Sequence, residues 1–198
     1  MAVTVNNLVK SYGKNTVFNI PSLTLEKGFT CIGGQSGCGK TTLGRILASL
    51  EKADGGAIDG VGKFPTVLFQ ESRLLPSISA LKNIEAVCRT KEYSALGKEL
   101  LSELLFSDED MKKSPRELSG GMMRRVAIVR AVVYALENGS DFVLLDEPFS
   151  GLDDETRSIA AGIMVKYLSD RIVLVITHDK DECVLLGGKY LSFSEISL

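Results

Sequence analysis

Gly34-Gln35-Ser36-Gly37-Cys38-Gly39-Lys40-Thr41 fits the spacing G-x-x-x-x-G-K-[ST]. That spacing suits the holding of phosphate. Glycines let the backbone curl and aim N–H groups inward, and a following helix adds the partial positive charge of its N-terminus. Lys40 sets a cation against the β- and γ-phosphates, the Thr41 hydroxyl can ligate Mg²⁺, and Thr42 can reach the α-phosphate. A second kind of chemistry sits at Asp146-Glu147, behind four apolar residues. A carboxylate at a strand end beside phosphates can hold Mg²⁺, and a second one has the use of orienting and deprotonating water. The third stretch, Leu118-Ser119-Gly120-Gly121, combines a helix-capping serine with two glycines that leave backbone N–H groups open to an anion. One chain with one phosphate loop has no need of a second anion site. Ser119, Gly120 and Gly121 therefore point to a nucleotide held by another copy.

The elements that must position these residues follow from periodicity and punctuation. Val3 to Leu8 and Val17 to Leu25 read as strands around a turn at Ser11 to Lys14. Phe29 to Ile32 is a strand entering the glycine loop, and Lys40 to Leu50 a helix with Leu43, Ile46, Leu47 and Leu50 on one face. Ile58 and Val61 mark a minor strand, and Val67 to Phe69 another. Helices are predicted from about Ser79 to Cys88, Ala95 to Leu105, Ser119 to about Glu137, Thr156 to Leu168 and Asp179 to Leu186, with a loop from Ser107 to Ser114. Phe142 to Leu145 and Ile172 to Ile176 are apolar throughout, as strands covered on both faces must be. Tyr190 to Phe193 reads as an edge strand. Strands alternate with helices at both ends while 79–114 is helical only, so the fold class is α/β, a mostly parallel sheet with a helical insert.

The composition agrees and narrows the function. With 198 residues, 44% apolar and 24% charged, the chain can build a full core. A net charge of -2 gives no general attraction to nucleic acid, and no nucleic-acid partner is expected. One histidine excludes a histidine-rich metal site. Four irregularly spaced cysteines read as reduced thiols. No run of 18 apolar residues occurs, and the first residues lack a signal-peptide layout.

Together these residues resemble the ATP-binding subunits of ABC transporters, over almost the whole chain. Leu118 to Gly121 is similar to their LSGG signature and Leu144 to Glu147 to the end of their Walker B strand. The resemblance implies ATP and Mg²⁺ as cofactors and a P-loop NTPase with a RecA-like, mostly parallel sheet core. It also implies an N-terminal antiparallel β subdomain and a helical subdomain at 71–120 inserted in one 1–198 ATPase domain. It implies that Tyr12 stacks on adenine, that Gln70 approaches Mg²⁺ and water, that Gly151-Leu152-Asp153 crosses a dimer interface, and that His178 contacts the γ-phosphate. The catalytic set it implies is Glu147, His178, Lys40 and Gln70. Nucleotide would lie on Tyr12, on Gly34, Gln35, Ser36, Gly37, Cys38, Gly39, Lys40, Thr41 and Thr42, and on the other copy's Ser119, Gly120 and Gly121. Metal would lie on Thr41, Gln70 and Asp146.

Partners implied are a second copy, integral membrane permease subunits and, for import, a solute-binding protein. The location implied is the cytoplasmic face of a membrane, held there by the permease. Gln70 to Pro76 is similar to the same segment of nitrate, sulfonate and taurine importers, with an exporter, lipoprotein-release or cell-envelope ATPase as the alternative. The chain departs from most relatives in carrying Met122 after the signature, where they have Gln. It also ends soon after the His178 strand, which implies no long C-terminal regulatory region.

Overall fold

The computed structural model describes residues 2–198. Its eight strands are β1 (Val3–Tyr12), β2 (Asn15–Leu25), β3 (Gly28–Gly33), β4 (Gly55–Asp59), β5 (Thr66–Leu68), β6 (Phe142–Asp146), β7 (Ile172–Ile176) and β8 (Lys189–Ser192). Its seven α-helices are α1 (Lys40–Leu47), α2 (Ala80–Glu85), α3 (Lys91–Glu103), α4 (Gly120–Glu137), α5 (Asp154–Leu168), α6 (Lys180–Leu185) and α7 (Phe193–Ile196).

Two sheets form. β2, β1 and β4 make an antiparallel sheet in that order, and β5, β6, β7, β3 and β8 a wholly parallel one. Each β6 side chain takes one face or the other. Val143 and Leu145 join a core with α2 to α6, while Phe142 and Leu144 join a second core with α1 and the antiparallel sheet. Both faces are thus covered, which is why the strand contains no polar residue before Asp146. α1 lies in the second core and packs closely on the sheet at Gly44. A Cβ there would come within 2.8 Å of a Leu144 methyl and 3.0 Å of an Ile176 methyl.

Several element ends differ from the expectation for reasons the backbone makes clear. β1 continues to Tyr12 through a register shift after Lys10. α1 stops at Leu47 because Ser49 adopts φ 58° and the Leu50 N–H turns back to the Arg45 carbonyl, leaving Leu50 exposed. Leu105 ends α3 in the same way, with φ 62° and the Phe106 N–H on the Leu101 carbonyl; it too is exposed rather than on the buried face. α3 begins at Lys91, since the Thr90 hydroxyl caps the Tyr93 N–H. Between 107 and 114 a 3-10 turn at Asp110–Lys112 buries Met111. Phe193 opens α7 instead of closing β8. All four cysteines are free thiols.

Candidate functional site

The parallel register brings the chemistry to one sheet edge. Ile32 of β3 pairs with Ile176 of β7, which pairs with Asp146 of β6. The segments that follow, the glycine loop, Glu147 and His178, therefore emerge side by side at the strands' C-terminal ends. They line one cleft of about 540 Å³ together with Tyr12, Ser36, Thr41, Thr42 and Gln70.

The loop has the backbone its glycines permit. Gly34, Gly37 and Gly39 sit at φ 152°, 80° and 107°. Gly39 is the N-cap of α1, so the helix starts at the buried Lys40. Lys40 Nζ donates to the carbonyls of Gly34 and Gln35, both at 2.8 Å, which holds the ammonium over the loop mouth. The residues at the loop do not all face the cleft. Gln35 and Cys38 line an adjoining cavity with Ser192, Phe193 and Ser197, bordered like the cleft by Val17 and Gly34. Cys38 Sγ still lies 3.7 Å from Lys40 Nζ.

The acidic pair is asymmetric. Asp146 is 4% exposed, and burial raises its carboxyl pKa. The Thr41 hydroxyl opposes that shift, the Glu147 charge adds to it, and Arg124 and Lys40 also oppose it. A buried carboxylate beside a hydroxyl is a hard oxygen donor pair in need of a cation. No group of three His, Cys, Asp or Glu residues able to cage a metal exists among the described residues. That sparse oxygen set fits Mg²⁺, which keeps several waters and takes phosphate oxygens.

Glu147 has φ 47°, an uncommon value for a residue with a side chain. Its N–H donates to the Ile176 carbonyl at 2.8 Å. Its carboxylate lies 3.0 and 3.1 Å from His178 Nδ1, and that contact, with the negative charge of Glu147, raises the imidazole pKa. His178 is otherwise open to solvent, its side chain 77% exposed.

Tyr12 also lines the cleft and is 54% exposed. Its hydroxyl donates to Glu51, and the Lys10 ammonium lies 5.1 Å from its ring centroid. The ring is held at one edge and free for stacking elsewhere.

Ser119, Gly120 and Gly121 are not in this cleft. They start α4, where the Ser119 Oγ accepts from the Met122 N–H at 3.1 Å. A Cβ on Gly120 would meet nothing within 4 Å, whereas one on Gly121 would meet the Gly151 carbonyl at 2.7 Å. The Gly151 segment thus lies against the signature within the chain, and Gly120 faces open space.

Two contacts escape a reading of the sequence. Glu51 fixes Tyr12 from 39 residues away. Arg124, in the run Met122-Met123-Arg124-Arg125, has the look of a solvated helix face but is 2% exposed. Its guanidinium donates to the carbonyls of Phe69, Gln70, Asp146, Glu147 and Pro148. Burial pushes its pKa down to about 10, with Asp146 and Glu147 acting the other way.

Comparison with known proteins adds ancestry to geometry. The family model described as ABC transporter matches residues 18–150. The aliphatic sulfonates import ATP-binding protein SsuB of Corynebacterium glutamicum is 38% identical over 198 residues, 96% of this chain and 79% of that protein. SsuB of Bacillus subtilis is 36% identical over 204 residues, 96% of this chain and 78% of that protein. Among solved structures, the dimeric bacterial ABC transporter cassette MJ0796 superposes with a TM-score of 0.78 at 25% identity, covering 96% of this chain and 94% of that one. Its dimeric post-hydrolysis state bound to ADP and Pi gives 0.80 at 25% identity, covering 96% and 93%.

Proposed function

The chain belongs to the ABC transporter family as an ATP-hydrolysing subunit coupled to transport, and on that footing we propose that two copies close head to tail on two ATP molecules. The observation that carries this is a separation. Lys40, Thr41, Gln70, Asp146, Glu147 and His178 share one cleft, while Ser119 caps a helix outside it and Gly120, the first residue of that helix, faces open space. A second copy would lay its α4 N-terminus over the first copy's cleft and close it.

Within that closed site the residues take distinct parts. Lys40 and the loop N–H groups hold the β- and γ-phosphates. Tyr12 stacks on the base. Thr41 and Asp146, with Gln70, would hold Mg²⁺, which when bound neutralises phosphate charge. Glu147 accepts the proton of the attacking water. His178 exchanges its Glu147 partner for the γ-phosphate, which frees the carboxylate for that task.

Residues 71–120 are a helical subdomain in this reading. Beside it, a largely apolar groove of about 270 Å³ runs along the β5 edge, lined by Leu50, Phe69, Val87, Ala127 and Tyr134, with Arg130 also in its wall. A helix of a membrane permease would rest there, one residue from Gln70. No helix among the described residues is long and apolar enough to cross a membrane. In this reading the permease contact holds the chain on the cytoplasmic face. The direction proposed is import of a small solute of the sulfonate kind, delivered by a solute-binding protein. Support comes from the import proteins it is similar to.

Glu147→Gln tests the assignment. Turnover of Mg-ATP should fall by about 100-fold or more, while ATP should drive the variant into a dimer seen by size-exclusion chromatography. Retained turnover would remove Glu147 as the base, and a variant that stays monomeric in ATP would count against the closed pair.

A further inference from the structure

We infer that Arg124 is a positioning residue of this site, holding the Gln70 turn and the Glu147 turn at a fixed separation so that they move as one. The inference rests on the ATPase reading above.

A charge buried as deeply as Arg124 must be matched by its surroundings. Here the charges of Asp146, Glu147 and Glu182 act in its favour, and its hydrogen bonds go to backbone carbonyls. Nε donates to the Pro148 carbonyl at 2.9 Å, and Nη2 to those of Asp146 and Glu147 at 2.6 and 2.7 Å. Nη1 turns the other way, to the carbonyls of Phe69 and of Gln70 at 3.1 Å. One arm of the fork thus serves the exit of β6 and the other the exit of β5. Both turns have left their strands, β5 ending at Leu68 and β6 at Asp146. The last pair between β5 and β6 is Leu68–Leu145; past it no strand pairing joins the two turns to each other, and a rigid planar guanidinium can do so.

The residues so tied face the cleft from both sides. Gln70 and Glu147 line it, and Glu147 keeps its left-handed backbone with its N–H on Ile176 and its carbonyl on Arg124. Strained backbone persists where neighbours over-determine it. Arg124 also lies in the second turn of α4, whose first residue follows Ser119. One side chain thereby links the helix that a second copy would use, the segment a permease would press, and the turn that carries the base.

Arg124→Lys keeps the charge but cannot span two turns. In the purified full chain it should lower kcat by about 10-fold or more, as a misplacement of about 1 Å at a reacting group does. Affinity for a fluorescent ATP analogue should stay within about twofold, because Lys40 and the loop belong to other elements. In that background Gln70→Ala should cost much less than it does in the unaltered chain, since a side chain no longer held in place has little left to lose. Unaltered kcat with only a lowered melting temperature, or strictly additive losses with Gln70→Ala, would overturn the inference.

Should Arg124→Lys not fold, hydrogen exchange on the unaltered chain decides. Mg-ATP should slow amides in 69–73 and 147–150 by a common factor, and independent changes in the two segments would overturn the linkage. A lack of turnover in the unaltered chain would instead strike the ATPase reading itself.

Discussion

The Glu147–His178 contact is the point at which a single residue reports on the whole site. The carboxylate raises the imidazole pKa, so the folded chain holds the histidine proton more tightly than the unfolded chain does. The pair's contribution to folding is therefore full below the ordinary histidine value of about 6.5 and is lost as pH rises through the raised one. His178 is the chain's one histidine, so its ring resonances stand alone in an NMR titration. The midpoint should lie above the ordinary value and fall back toward it in Glu147→Gln. A midpoint at or below the ordinary value, or one that Glu147→Gln leaves in place, would break the pairing. At this scale the sequence is informative where function is contiguous. Gly34 to Thr41 and Asp146-Glu147 carry their chemistry in adjacent letters. Arg124 and Glu51 do not, because their roles arise from carbonyls and a hydroxyl 22 to 55 residues away.

Elements place those residues, and the packing of α1 is one close constraint on the loop. Gly44 lets the helix rest on Leu144 and Ile176, the β6 and β7 residues just short of the acidic pair and His178. Gly44→Val would gain helix propensity but press into that core. The expected loss is about 2–3 kcal/mol of stability in chemical denaturation, together with weakened ATP binding as α1 and Lys40 are lifted. Unchanged stability would mean that the two cores are less closely fitted than the contacts indicate. Strand identity was legible here, since Phe142 to Leu145 and Ile172 to Ile176 are apolar without interruption. Helix ends were not. Leu50 and Leu105 continue the apolar spacing past Ser49 and into a left-handed turn, where only backbone geometry reveals the stop. The polar first turn of α3 hides its start, because its cap at Thr90 precedes any apolar residue.

For the whole molecule, the decisive fact is that each chain holds a cleft and, elsewhere, an exposed signature at the start of α4. If one copy's Ser119 to Gly121 completes the other's cleft, two differently damaged copies should repair one another. Lys40→Ala removes the phosphate cation. Gly120→Asp places a carboxylate where the chain itself has nothing within 4 Å, so the fold should tolerate it while the nucleotide would not. Each variant alone should be inactive. Mixed in equal amounts and paired at random, about half the dimers contain one of each, and each of those has one site built from an intact loop and an intact signature. Turnover should then return to roughly a quarter of the unaltered level. A mixture as inactive as its two components would contradict the shared site and place the signature's action within a single chain.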